Sequence, residues 1–208
     1  LYDFAPQMGI TIIAANYSRW VIDLNRNPDS QPLYTDGRVI TGLVPITNFN
    51  GDSLYVSDVP DDSEIERRTS KYYQPYHLQI SKMLGEMKSE FGKALLFDAH
   101  SIRKLVPGIQ SEPFPDLILG DNDEKSANGN IIKIAYESIS SGNYNVSHNH
   151  PFKGGQITRS FGKPDENIHA LQLEMAKINY MDESETLYDQ AKANEMRHLL
   201  QKMFVNLI

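Results

Sequence analysis

Short apolar runs alternate with amphipathic segments along the chain, and this alternation predicts the secondary structure. Runs of apolar and β-branched residues bounded by Gly, Pro, Asn or Ser are typical of strands. Six runs fit that description, at residues 10–15, 19–26, 94–97, 116–120, 144–148 and 168–176. The last run alternates most clearly, because Leu171, Leu173 and Met175 are separated by polar or small residues. We therefore expect a half-buried strand there.

A long helix is predicted between two of these runs. Its N-terminal cap is expected within Asp61-Asp62-Ser63 and its C-terminal end at Gly92, and Pro75 should kink it. Apolar and aromatic residues recur at spacings of three and four and predict the face that packs on the sheet: Ile65, Thr69, Tyr72, Tyr76, Ile80, Met83 and Met87.

Two further helices complete the expected α/β architecture. The pattern predicts one helix at residues 130–140 and a closing helix from about 183 to 208. In the closing helix we expect four inward-facing residues: Leu187, Ala191, Leu199 and Met203. Strands separated by helices, with polar groups gathered at strand ends, predict a single α/β sheet domain.

Composition removes several classes of function. The chain has 208 residues, 40% of them hydrophobic, and a net charge of -7 without a basic run, so we expect no nucleic-acid partner. There is no cysteine, which leaves His, Asp and Glu as the possible metal ligands. No apolar run approaches the roughly 20 residues that span a bilayer, so we expect no membrane partner and a cytoplasmic protein.

The strand predicted at 94–97 is followed by candidate metal-site residues. In a strand's period of two, Asp98 and His100 project to one side, so the carboxylate could orient an imidazole that binds a metal. The alternative is an ordinary hydrogen-bonded surface histidine.

Two other places carry candidate chemistry. Asn25 and Arg26 are suited to holding a carboxylate, through an amide donor and a bidentate guanidinium, and the alternative is a surface salt bridge. Glu174 lies on the polar face of the last strand. A buried Glu near a metal can act as a general base, and the alternative is a carboxylate exposed at the rim.

The loops give weaker signals. The segment from Asp29 to Pro60 predicts a lid or wall over the site, or else a mobile excursion with no role in binding. Asp121, Asp123 and Glu124 lack the calcium-loop pattern and are interpreted as solvated acids. Gly154 and Gly155 predict a turn, and a surface role is expected for His148 and His150.

Four motifs occur together in a recognisable order: N-Y-S-R-W-V-I-D-L-N-R-N-P, F-D-A-H-S-I-R, F-K-G-G-Q-I-T-R and H-A-L-Q-L-E-M-A. The sequence resembles the N-formylglutamate amidohydrolases over nearly the whole chain. Their wider relatives are the zinc carboxypeptidases and aspartoacylases. The resemblance implies a zinc-carboxypeptidase-like fold, with a mixed central sheet flanked by helices.

The resemblance also implies roles for individual residues. Asn25 and Arg26 match the pair that binds the substrate's free carboxylate, His100 matches a zinc ligand and Glu174 matches the general base. Arg159 resembles a second anion-binding residue, suited to the other carboxylate of glutamate.

The implied reaction is zinc-assisted hydrolysis of N-formyl-L-glutamate to formate and L-glutamate, a late step of histidine breakdown. Arg19 is our candidate to stabilise the oxyanion together with the zinc. The substrate expected is a small anionic N-acyl amino acid. Two alternatives remain: an amidohydrolase of another N-acyl amino acid or peptide, and a non-catalytic binding domain of the same fold.

The chain begins at Leu1 without an initiating Met or a helix cap, which indicates a fragment. Two further zinc ligands, a His and an acidic residue, are expected from the resemblance in a strand and loop before Leu1. A catalytic zinc requires three protein ligands. We therefore expect the polypeptide as given to bind zinc poorly and to be inactive. The sequence leaves the oligomeric state open.

Overall fold

A mixed four-stranded sheet forms the centre of the structure, a computed structural model that describes residues 1–29, 41–49 and 51–208. The strands are β1 (Ala94–Ile102), β2 (Leu117–Gly120), β3 (Val146–His148) and β4 (Ile168–Ala176). Their spatial order is β1-β4-β2-β3. β1 runs parallel to β4 and β2 parallel to β3, whereas β2 and β4 are antiparallel. The mixed sheet expected from the resemblance is thus confirmed.

Helices cover both faces of this sheet. They are α1 (Asp62–Arg68), a π-helical segment (Thr69–Tyr73), α2 (Gln74–Phe91), α3 (Gly129–Ser140), α4 (Gln156–Phe161) and α5 (Gln190–Leu207). Short 3₁₀ turns lie at residues 5–8, 164–166 and 177–179. Of the helices in the described ranges, none is long and apolar enough to cross a membrane.

The main core lies between the sheet and two helices. It joins alternate residues of β2 and β4 to the buried faces of α3 and α5: Leu117, Leu119, Leu171, Leu173, Met175, Ala135, Ile139, Met196, Leu200 and Met203. A smaller cluster on α2, β1 and α4 lies on the other side, around Ile80, Leu84, Ala94 and Ile157. The remaining residues of β4, including Glu174, therefore face the α2 and α4 side.

Four of the six predicted strands are confirmed, but the two at 10–15 and 19–26 are wrong. Residues 10–15 form no ladder, and 19–26 folds as successive turns. The side chain of Asp23 accepts from the backbone N–H of Asn25, 3.1 Å away, and the Asp23 carbonyl accepts from the Arg26 N–H at 3.2 Å. Local hydrogen bonds of this kind compete with strand pairing, which explains the turns.

The long helix begins and ends where predicted. The side chain of Asp61 accepts from the backbone N–H of Glu64, and Gly92 ends the helix with a left-handed backbone. The interior differs, because the π-helical segment precedes Pro75, and Tyr73 is buried whereas Tyr72 is only partly covered. A π turn contains an additional residue and so rotates the side chains of the next helical turns.

Three assignments to the surface or the core are wrong. Leu187 and Ala191 are exposed, because α5 begins only at Gln190 with Asp189 as its cap, while Leu199 and Met203 are buried as expected. Asp121 is fully buried rather than solvated. It accepts from the backbone N–H of Glu124 and the amide of Asn149, and it pairs with His148, so its charge is satisfied within the fold.

Candidate functional site

Four polar side chains share one face of the two longest strands. In the parallel register His100 lies opposite Glu174, and Asp98 lies opposite Gln172. Laterally paired residues project to the same side of a sheet, and residues two apart do so as well. The strand β1 continues to Ile102, so Asp98 and His100 lie within the strand rather than beyond its end as the sequence predicted.

Asn25 joins this face from a segment far away in sequence. Its Nδ2 lies 2.9 Å from Nε2 of His100 and donates to Oδ2 of Asp98 at 3.2 Å. Nε2 of His100 also lies 2.8 Å from Oδ1 of Asp98, and the hydroxyl of Thr158 donates to Oδ2 at 3.4 Å. Asp98 thus orients the imidazole, as the sequence predicted, and Asn25 completes the cluster.

The Gly154-Gly155 loop fixes Asn25 by close approach. Oδ1 of Asn25 accepts from the backbone N–H of Ile157 at 2.7 Å. A Cβ added to Gly155 would lie 2.4 Å from Nδ2 of Asn25, so no other residue fits without moving the amide. The N–H of Gly155 in turn donates to Oε1 of Gln172 at 2.7 Å. The double glycine is therefore part of the site and not only a turn.

The electrostatics of the site raise the pKa of both Glu174 and His100. Burial raises the pKa of Glu174 to about 7, although the positive charge of His100 opposes the shift. Burial would lower the pKa of His100, but the charge and hydrogen bond of Asp98, with a contribution from Glu174, raise it to about 9. The Glu174 carboxyl can therefore exchange a proton near neutral pH, where a general acid or base works best.

Arg19 and Arg26 are both attached to the buried carboxylate of Asp23. Nη2 of Arg26 donates to Oδ2 of Asp23 at 3.1 Å and to the hydroxyl of Thr41 at 3.0 Å. The guanidinium of Arg19 lies 5.0 Å from the ring centroid of Phe49. Burial raises the pKa of Glu174, and the charge of Arg19 opposes that shift slightly.

The motifs that supply this geometry are those of a known family. The sequence model of the N-formylglutamate amidohydrolases matches residues 1–181. The chain belongs to this family.

Individual members support the same assignment. The N-formylglutamate deformylase of Pseudomonas aeruginosa is 44% identical over 186 residues, which is 88% of this chain and 69% of that protein. The N-formylglutamate deformylase of Pseudomonas putida is 40% identical over 188 residues, covering 89% of this chain and 69% of its own.

Solved structures agree on the fold. The N-formylglutamate amidohydrolase of Ralstonia eutropha superposes with a TM-score of 0.80 at 27% identity, over 99% of this chain and 79% of that one. A gene product of Agrobacterium tumefaciens, at 20% identity and a TM-score of 0.66 over 92% of this chain and 68% of its own, shares the fold.

The zinc expected from the N-formylglutamate amidohydrolase resemblance needs more ligands than the described residues provide. Within residues 1–29, 41–49 and 51–208, no three His, Asp or Glu side chains are grouped to hold a metal. His100 supplies one imidazole, and its Nε2 is already within 2.9 Å of Asn25 and Asp98. The described part of the chain therefore does not fit a zinc ion by itself.

Other predicted positions are placed less directly. Arg159 lies on α4, where its Nε donates to the Gly154 carbonyl at 2.8 Å. Its role in binding a second carboxylate stays a prediction. The loop predicted to cover the site lies partly outside the described residues, at 30–40 and 50.

Two residues of the cluster were missed in the sequence. Gln172 shares the face of Glu174 at a spacing of two, which is a signal that the pattern contains. Thr158 belongs to α4, a helix of six residues directly after the double glycine. A segment this short shows too little periodicity to be predicted.

Proposed function

We propose that this protein hydrolyses the formyl amide of N-formyl-L-glutamate, releasing formate and L-glutamate. The single observation that carries the proposal is the convergence of Asn25, His100 and Glu174, from three separate segments, on one face of the sheet. The activity named for the two Pseudomonas relatives supports the choice of substrate.

Glu174 is proposed as the general base. A carboxylate with a pKa of about 7 can accept a proton from water as the water attacks the formyl carbon. The same carboxyl can then donate that proton to the leaving amine, so that the group is restored after one turnover. His100, paired across the strands with Glu174, lies on the same face of the sheet as the proposed base.

The arginines are proposed to receive the negative charges of the substrate. Asn25 and Arg26 belong to one turn that Asp23 ties together, so an amide and a guanidinium are held as a unit. Nη2 of Arg26 is fixed by hydrogen bonds to Asp23 and Thr41, and the guanidinium held in this way is proposed to bind a carboxylate of the substrate. Arg19 is proposed for the oxyanion and Arg159 for the second carboxylate.

Zinc is proposed as the cofactor on the family resemblance, with His100 as one ligand. A bound zinc ion would polarise the formyl carbonyl and lower the pKa of a bound water. The roles proposed for Glu174 and the arginines are argued without it, because no group of three metal ligands occurs among the described residues. Mass spectrometry of the 208-residue polypeptide should find well under one zinc ion per chain. Tightly held, stoichiometric zinc would contradict that expectation.

The products suggest a metabolic setting. Formate and glutamate are both freed by the hydrolysis of the single formyl amide. On the family resemblance we propose that the reaction is a late step of histidine breakdown.

A substrate panel tests the proposed reaction. Formate release from N-formyl-L-glutamate should exceed by at least about 100-fold the hydrolysis of N-acetyl-L-aspartate and of short formylated peptides, because a misplaced carboxylate loses its bidentate partner. Preference for another N-acyl amino acid or for a peptide would favour that alternative. Binding of all the ligands without hydrolysis would favour a non-catalytic domain.

A further inference from the structure

The turn that carries Asn25 is attached to the long helix by two hydrogen bonds. The carbonyl of Leu24, just before Asn25, lies 2.8 Å from Nε2 of His77. The carbonyl of Arg26, just after Asn25, accepts from the hydroxyl of Tyr73 at 2.9 Å. The carbonyls of the residues immediately before and after Asn25 are thus both held by side chains of a single helical segment.

The two side chains act as one rigid support. Tyr73 and His77 are four residues apart, and their rings stack with centroids 4.0 Å apart and an interplanar angle of 17°. The ring of His77 also lies 5.5 Å from that of Phe161 at the end of α4. The same α4 supplies the Ile157 N–H that holds the Asn25 side chain. The support therefore touches both elements that fix Asn25.

The π-helical segment determines where this support points. The N–H of Gln74 bonds to the carbonyl of Thr69, five residues back, so Thr69–Tyr73 contains one residue more than an α-helical turn. One additional residue rotates the following side chains by about 100°. The π turn therefore offsets the side chains of α2, including His77, relative to those of α1. Single π turns recur at functional sites for this kind of reason.

The protonation of His77 suits a donor role. A carbonyl oxygen only accepts, so the proton of the His77 ring must lie on Nε2. Burial lowers the pKa of His77, against the opposing effects of the Leu24 contact and of Asp98. A neutral ring with Nε2–H is therefore favoured at neutral pH.

We propose that Tyr73 and His77 are positioning residues that set the place of Asn25 against His100 and Asp98. Neither of them touches the reacting atoms, so they act through the Asn25 turn. The consequence for activity rests on the proposed function, since it assumes that Asn25 and Arg26 bind the substrate's carboxylate.

Kinetics of substituted enzymes test the proposal. His77→Phe keeps the stacked ring but removes the donor, and Tyr73→Phe removes only the hydroxyl. Each should raise KM for N-formyl-L-glutamate by about 5- to 10-fold and change kcat by less than about 3-fold, because a binding contact is displaced. His77→Gln, whose amide can place N–H near Nε2, should recover most of the loss. A purely structural role would instead lower kcat with KM unchanged, and that result would overturn the proposal.

A second readout does not depend on turnover. The side-chain amide of Asn25, identified by its loss in Asn25→Asp, should give a dispersed NMR signal in the unsubstituted protein. That signal should shift towards its unfolded position in Tyr73→Phe and His77→Phe. An unmoved signal in both variants would contradict the positioning role, even if the protein did not hydrolyse N-formylglutamate. Absence of turnover with a shifted signal would count against the proposed function alone.

Matched controls come from the same chain. Tyr72→Phe removes a hydroxyl from the neighbouring residue, whose partner is Arg67 rather than the Asn25 turn. His198→Phe makes the same change as His77→Phe on the exposed side of α5. Both should leave KM and the Asn25 signal unchanged. Equal effects in the controls would show that any ring substitution disturbs the site and would refute the specific role.

Discussion

The two faces of strand β4 differ in what their residues contact. On one face Leu171, Leu173 and Met175 are buried in the hydrophobic cluster that also contains residues of α3 and α5. On the other face Gln172 and Glu174 meet loops, short helical turns and the polar residues of β1. A charge held in partial burial lowers stability, whereas apolar burial raises it. The apolar face therefore raises the free energy of unfolding, whereas the polar face lowers it by holding the partly buried groups of the site.

The largest effect on stability is expected on the apolar face. Leu173→Ala should lower the free energy of unfolding by about 2–5 kcal/mol, because Leu173 is fully buried and leaves a cavity. Urea unfolding measures this loss, while kcat per folded molecule should hardly change. Leu187→Ala, at an exposed position, is the control and should stay within about 0.5 kcal/mol. Equal losses at both positions would contradict the division between the faces.

A glycine substitution on the polar face should lower activity strongly and stability only slightly. Gly155→Ala would place a Cβ against the Asn25 amide, and we expect kcat/KM for N-formyl-L-glutamate to fall by about 100-fold. The free energy of unfolding should change much less than in Leu173→Ala.

Gly85 on α2 provides the matched control for that exchange. Nothing lies within 4 Å of a Cβ added there. Gly85→Ala should therefore stabilise the helix by about 0.5–1 kcal/mol and leave the kinetics unchanged. Full activity in Gly155→Ala would show that the close approach at Asn25 does not matter.

A smaller effect is expected in the pH dependence of stability. The folded state raises the pKa of Glu174 from 4.5 to about 7 and that of His100 from 6.5 to about 9. Folding therefore takes up protons, and the stabilisation, complete below pH 4.5, is lost as the pH rises through these ranges. In metal-free protein, allowing for screening by water, Glu174 should account for about 1–2 kcal/mol.

Urea unfolding between pH 4 and 9 in the presence of a chelator measures this slope. Glu174→Gln should remove the part between about pH 4.5 and 7 and leave the part due to His100. An unchanged slope in that variant would mean that Glu174 titrates normally.

The regions predicted well are those whose signal lies within one segment. β4 was predicted with its observed bounds because Leu171 to Met175 alternate, although the strand is buried on both faces rather than half-buried as expected. The helix ends were marked by the acidic cap at Asp61 and by Gly92. The turn at Asn25 was mistaken for a strand, because the Asp23 side chain takes over hydrogen bonds that a partner strand would have made. Asp98, which accepts a hydrogen bond from the Asn25 side chain, lies 73 residues away in sequence.

The site itself was predicted in part. Asn25, His100 and Glu174 were expected together from the family motifs, and the structure brings them together. The contacts of Tyr73 and His77 with residues 24 and 26 were not predicted. They involve a π turn, whose additional residue interrupts the spacing of three and four from which the packed face of the long helix was predicted. Non-local contacts and local irregularities of this kind are invisible to a pattern of fixed period.

The central claim is that Glu174, opposite His100, performs proton transfer on the polar face. The most direct test is formate release from N-formyl-L-glutamate by the protein and its Glu174→Gln variant, with binding measured alongside. The account predicts that the exchange lowers kcat by about 100- to 10,000-fold while the dissociation constant changes by less than about 3-fold. Turnover at the original rate in Glu174→Gln would contradict it.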